Sequence, residues 1–160
     1  MEVIKRVEGS IKVDYRHSYG NSLTKFFAGT KNKIIYGARC TKCKKISVPA
    51  VIICGKCFAV TEDEWISLNQ IAVLRAYTIV LLPFPGQPKE PPYVWGMLRF
   101  EDASTDFPHL VEFEDLELKP FTPLDEINKR LKIGMKVKAV WNEKRCGDLY
   151  DIKYFLPVKE

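Results

Sequence analysis

Four cysteines stand in two C-x-x-C pairs, Cys40/Cys43 and Cys54/Cys57, within "CTKCKKISVPAVIICGKC" at residues 40–57. Each pair presents two thiolates from one tight turn. Two such turns supply the four sulfurs that a tetrahedral structural zinc prefers. The spacer "KKISVPAVII" is long enough for a short hairpin that brings the turns together, which is the logic of a zinc ribbon. It is shorter than the commonest spacing of such motifs. Lys44 and Phe58 follow the second cysteine of each pair, where glycine is frequent. An iron–sulfur cluster or a rubredoxin-like iron accepts the same four ligands. A thioredoxin-like redox centre would use one pair at a helix start and leave the other unexplained. The spacing predicts one closed structural site at Cys40, Cys43, Cys54 and Cys57, with zinc the favoured metal. Four protein ligands leave no open position for catalysis. The fifth cysteine, Cys146, sits beside Gly147 in an expected turn and reads as a spare thiol.

Outside this cluster no catalytic set stands out. The two histidines are His17 and His109, and there is no GxSxG, phosphate loop or GxGxxG. Glu112, Glu114, Asp115 and Glu117 crowd one run, which a solvated strand explains better than acid–base work does. The chain is therefore expected not to be an enzyme.

Several elements must position the cysteines. Residues 1–14 show no clear periodicity and read as a tail. Tyr19, Leu23, Phe26 and Phe27 then fall on one face of an amphipathic helix, with Gly29 placed to end it. After the cysteines come five strand-like runs, at 71–84, 91–102, 109–118, 136–144 and 149–157. Between the third and fourth lies "TPLDEINKRLKIG", with Thr122 as helix cap, Pro123 in the first position and Gly134 at the stop. Three strands, a helix and two strands is the order of an OB-fold barrel. The expected fold is mainly β: an N-terminal amphipathic helix and a rubredoxin-like zinc ribbon, followed by a five-stranded OB-fold barrel with a helix between strands 3 and 4. The expected segments are 1–35 for tail and helix, 36–66 for the ribbon and 67–160 for the barrel.

The 160 residues carry a net charge of +5, unevenly spread. Residues 1–60 hold 12 Lys+Arg against 3 Asp+Glu, and residues 61–160 hold 13 against 17. A basic half of this kind favours an anionic partner. No apolar run reaches the ~18–20 residues of a membrane span, and the first residues lack a secretory core, so a cytoplasmic protein is expected. An odd cysteine count argues against a closed disulfide framework.

The ordered set "FFAG" (26–29), "RCTKC" (39–43), Pro49, "CGKC" (54–57), Trp65, "PPYVWGMLRFED" (91–102) and "LKIGMKVKAVW" (131–141) resembles one family over roughly residues 19–157. It is the zinc-ribbon-plus-OB-fold family usually met beside thiolases. The resemblance implies acyl-CoA as a ligand and a thiolase or hydroxymethylglutaryl-CoA synthase as partner, with the family protein a scaffold that contributes no catalytic residue. The missing glycine after Cys43 and the longer acidic segment before the fourth strand depart from the family pattern.

On that reading Arg39, Lys42, Lys44 and Lys45 supply a cationic side for the coenzyme, and Phe84, Tyr93 and Trp95 of the loop "LPFPGQPKEPPYVW" an apolar wall. A single-stranded nucleic-acid binder is the alternative, since OB-folds serve that role too. The net acidic barrel half weakens it.

Overall fold

The computed structural model describes residues 9–61, 64–87 and 89–158. Part of the expected tail lies outside the described residues. Residues 9–19 are irregular and exposed, up to helix α1 (Gly20–Lys31). The aromatic face does what its spacing predicts. Phe26 is fully buried, 5.6 Å from Phe27 and 6.2 Å from Phe107 of the barrel between ring centroids. Gly29 does not end the helix, which continues to Lys31. Its role is clearance, because a Cβ there would lie 2.5 Å from the Tyr36 ring.

The ribbon is a small antiparallel sheet of β1 (Ile35–Arg39), β2 (Ile46–Ser47) and β3 (Glu64–Leu68), with β1 in the middle. So few strands carry little core of their own. The ribbon compensates by sharing one apolar core with the barrel, in which Ile35, Ile46, Val48 and Leu68 join Leu74, Phe100 and Phe107. The barrel loop after residue 100 also grips β2. Ser104 N–H donates to the Ile46 carbonyl at 2.7 Å, and Thr105 Oγ1 accepts from Val48 N–H at 2.7 Å.

The barrel strands are β4 (Ile71–Val80), β5 (Tyr93–Phe100), β6 (Phe107–Val111), β7 (Lys136–Trp141) and β8 (Ile152–Pro157). They close in the order β4-β5-β6-β8-β7, with β6 and β8 parallel at Val111 and Phe155. This is the strand order of an OB-fold, as expected. Alternation sets the interior: Val94, Leu98 and Phe100 of β5 and Val137 and Ala139 of β7 point inward. Closure pairs every strand on both sides and removes the free sheet edge.

Two local expectations need correction. The third barrel strand is residues 107–111, not 109–118. The acidic residues after it find individual cations instead. Glu112 pairs with Lys89 at 2.6 Å, Asp115 with Arg130 at 3.0 Å and Glu117 with Lys119 at 3.0 Å. The second helix, α2 (Leu124–Arg130), is not capped by Thr122. That hydroxyl accepts from Lys119 N–H at 2.9 Å, closing a turn ahead of the helix. Gly134 adopts a left-handed φ of 92°, but in the turn before β7 rather than at the helix end.

Candidate metal centre

The two C-x-x-C turns are built alike. In the first, Lys44 N–H donates to the Cys40 carbonyl at 2.9 Å and Cys40 N–H to the Lys45 carbonyl at 2.8 Å. In the second, Phe58 N–H donates to the Cys54 carbonyl and Cys54 N–H to the Ala59 carbonyl, both at 2.9 Å. Lys44 and Phe58, where glycine is frequent, both hold a left-handed φ, 60° and 59°. A side chain in that conformation costs about 1–2 kcal/mol. The turn geometry therefore persists without its usual residue and with strain in the backbone.

The four sulfurs lie within 4.8 Å of one another, with Cys40–Cys57 at 3.4 Å and Cys43–Cys54 at 3.5 Å. Sulfurs bound to one zinc at about 2.3 Å lie about 3.8 Å apart, so the cluster is the right size for one tetrahedral ion. Charge points the same way. The N–H groups of Lys56 and then Cys57 lower the Cys54 pKa to about 6, and the Cys43 N–H lowers that of Cys40. At Cys57 the Ala59 N–H also favours the thiolate. Burial and three neighbouring thiols outweigh it and push the pKa up to about 11. Crowded thiols thus resist joint ionisation, and a cation favours the thiolate at all four. Cys146 is exposed and outside the cluster.

The residues expected to meet a coenzyme lie on two separate parts of the chain. Arg39 Nε is 4.0 Å from Glu64 Oε2, and Lys44 Nζ is 3.8 Å from Glu64 Oε1, so one carboxylate faces both cations. Lys42 and Lys45 are exposed. Phe84 is 52% exposed in the β4–β5 loop. Tyr93 is 1% exposed, so its ring belongs to the packed interior. Trp95 is half-buried and stacks on His109 with ring centroids 6.3 Å apart.

With this geometry in place, comparison with known proteins is informative. Residues 65–142 match the family model of the ChsH2 C-terminal OB-fold domain. A DUF35 domain-containing scaffold protein of Methanocaldococcus jannaschii is 29% identical over 129 residues, which are 78% of this chain and 82% of its own. A crystal structure of a DUF35-family protein of unknown function from Sulfolobus solfataricus is 26% identical, with a TM-score of 0.56 over 76% of this chain and 78% of the other. The chain is similar in fold to that DUF35-family structure over about three quarters of each chain. An Ltp2–ChsH2(DUF35) aldolase structure has the same fold at 20% identity, with a TM-score of 0.57 over 89% of this chain and 95% of the other. Among the described residues of this DUF35-like chain no helix is long and apolar enough to cross a membrane.

One polar residue escaped the sequence reading. Asp151, 2% exposed, accepts from Cys146 N–H at 2.7 Å, Gly147 N–H at 2.9 Å and the Thr30 hydroxyl at 3.0 Å. It clamps α1 to the β7–β8 connection. Its sequence signal is faint: a glycine turn followed by an aspartate four residues on.

His109 is buried in the barrel, and its Nδ1 has no hydrogen-bond partner. Burial lowers its pKa from 6.5 to about 4, weakly opposed by the carbonyls of Leu149 and Leu110. The unfolded chain thus takes up this proton at higher pH than the folded one. The contribution to stability is complete above about pH 6.5 and is lost as pH falls from there towards 4. Between pH 7.5 and 5 it should amount to about 2 kcal/mol. Urea titrations of the wild type and His109→Gln at both pH values check this, since acid effects at the cysteines cancel in the comparison. Equal pH dependence in the two proteins would refute it.

Proposed function

We propose that this chain is a non-catalytic accessory subunit of the scaffold type, which binds acyl-CoA and a thiolase-type or hydroxymethylglutaryl-CoA-synthase-type enzyme in the cytoplasm. The zinc of the four-cysteine site is structural on this reading: it holds the ribbon and supplies no open coordination position. The observation that carries the proposal is the closed four-sulfur ribbon joined to a ChsH2-type barrel, in a chain similar over most of its length to a scaffold protein. A DUF35 domain in an aldolase structure supports an enzyme as partner. The excess of lysine and arginine in the ribbon half supports an anionic ligand, and the coenzyme's phosphates meet that requirement. Arg39, Lys42, Lys44 and Lys45 are the cationic side of the proposed site. Phe84 is its exposed ring, and Trp95 and Tyr93 are the other aromatic residues assigned to it.

The test is reconstitution with the thiolase-type enzyme, with acetyl-CoA as the probe. Joint substitution of Lys42, Lys44 and Lys45 by Glu should weaken coenzyme affinity of the complex at least about tenfold, and Phe84→Ala should weaken it less. Tyr93→Ala needs a parallel stability measurement because the ring is buried. The pure chain should turn over no acyl-CoA. Normal assembly with unchanged affinity and activity in every variant would remove these residues from the site. Turnover by the chain alone, abolished by one point substitution in it, would overturn the non-catalytic reading.

A further inference from the structure

A groove of about 500 Å³ runs between the first half of α1 and the chain entering the second C-x-x-C turn. Tyr19, Leu23, Ala50, Val51, Ile52 and Ile53 line it. Three consecutive aliphatic side chains stand exposed there, Val51, Ile52 and Ile53, the last at 55%. The apolar surface continues past the groove. Val60, the bridge partner of Ile53, is 54% exposed, and Phe58 at the tip of the turn is 80% exposed. One buried polar atom interrupts the wall. Ser22 is 3% exposed, and its Oγ has no hydrogen-bond partner. That oxygen is already covered by the chain itself, so the groove offers a docked molecule an apolar wall.

Three occupants can be compared. A small ligand buries most of its surface in a concave site, whereas this groove opens onto a broader apolar patch. A second copy would bring like charge against like charge, because residues 9–61 hold ten Lys/Arg and one acid, Asp14. An acidic protein face meets both the shape and the charge. We propose that this groove is the docking surface for a partner protein, which inserts an apolar ridge flanked by Asp and Glu. The inference deepens the scaffold reading above by placing the enzyme contact on α1 and the ribbon.

Two experiments test it on the full, metal-loaded chain. In the first, methyl-labelled protein is titrated with an amphipathic peptide of Leu at i, i+3, i+4 and i+7 flanked by Glu, and with its Lys-flanked twin. The Glu peptide should move the Leu23, Val51, Ile52 and Ile53 methyls, and the twin should not. Ile53→Glu should weaken binding about tenfold. Ile133→Glu on the barrel, where the side chain is 60% exposed, should change nothing. Unmoved methyls, equal binding of the twin, self-association through these methyls, or their displacement by acetyl-CoA alone would each overturn the inference.

In the second experiment, Ile53→Glu should weaken binding of the thiolase-type enzyme about tenfold while metal content stays the same. Unchanged enzyme binding would overturn the groove and leave the scaffold reading standing. If the wild type binds no such enzyme yet binds the Glu peptide in the groove, the scaffold reading falls and the groove stands.

Discussion

Cys54→Ser protein should purify with almost no metal and with its ribbon unfolded. Cys54 is buried, and its thiol is the one that neighbouring N–H groups hold at about pKa 6, so the variant removes a well-prepared ligand. Three sulfurs and a hydroxyl bind zinc far more weakly than four thiolates. Structural zinc contributes on the order of 10 kcal/mol to small domains of this kind, more than a short three-stranded sheet supplies unaided. The barrel should survive, since its strands pair with each other all the way round. Elemental analysis should therefore fall from about one zinc per chain to near zero. Amide exchange should lose protection in residues 35–47 and 64–68 while 71–80 and 93–100 keep theirs. A variant with full metal content and a protected ribbon would contradict the assignment.

Asp151→Ala should be strongly destabilising although it lies away from the cysteines and removes no apolar side chain. The carboxylate satisfies three main-chain N–H groups and one hydroxyl in a buried setting. Its removal leaves the main-chain donors unpaired, while the Thr30 hydroxyl still has the Phe27 and Asp148 carbonyls within reach. The expected loss is about 3–4 kcal/mol, or roughly 6–16 °C in Tm for a chain of this size. Thr30→Val removes one of the four bonds and should cost about 1 kcal/mol. Thermal melts of the two variants check both values. A change under about 0.5 kcal/mol for Asp151→Ala would show that the clamp carries no weight.

What the sequence disclosed and what it hid divide along a physical line. The cysteine cluster was legible because each C-x-x-C turn is closed by bonds that span a few residues, such as Lys44 N–H to Cys40. The barrel order was legible because alternation at residues 93–100 and 136–141 reports burial directly. The third barrel strand was overcalled. Alternation continues past Val111, but no neighbouring strand is there to pair with. Gly29 was misread because its reason is the Tyr36 ring packed against it across the turn, not the helix it belongs to. The Asp151 clamp was hidden for the same kind of reason, since its hydroxyl partner is 121 residues away. Tyr93 looked like a rim aromatic beside its prolines, and only the closed barrel shows its ring to be covered. Val51, Ile52 and Ile53 lie in the spacer read as a short hairpin, and the structure leaves all three exposed.

The span of the Thr30–Asp151 bond has a consequence for the order in which a nascent chain is finished. The ligands for the metal are all made by residue 57, and the turns that hold them are local, so metal capture needs only the first part of the polypeptide. Helix α1 is made earlier still but cannot be seated then. Phe26 rests on Phe107, and Thr30 on Asp151, residues that leave the ribosome much later. The first helix in the sequence is thus among the last to be fixed in space. The apolar groove along its side is complete only when the whole barrel is, so an unfinished or truncated chain does not offer it.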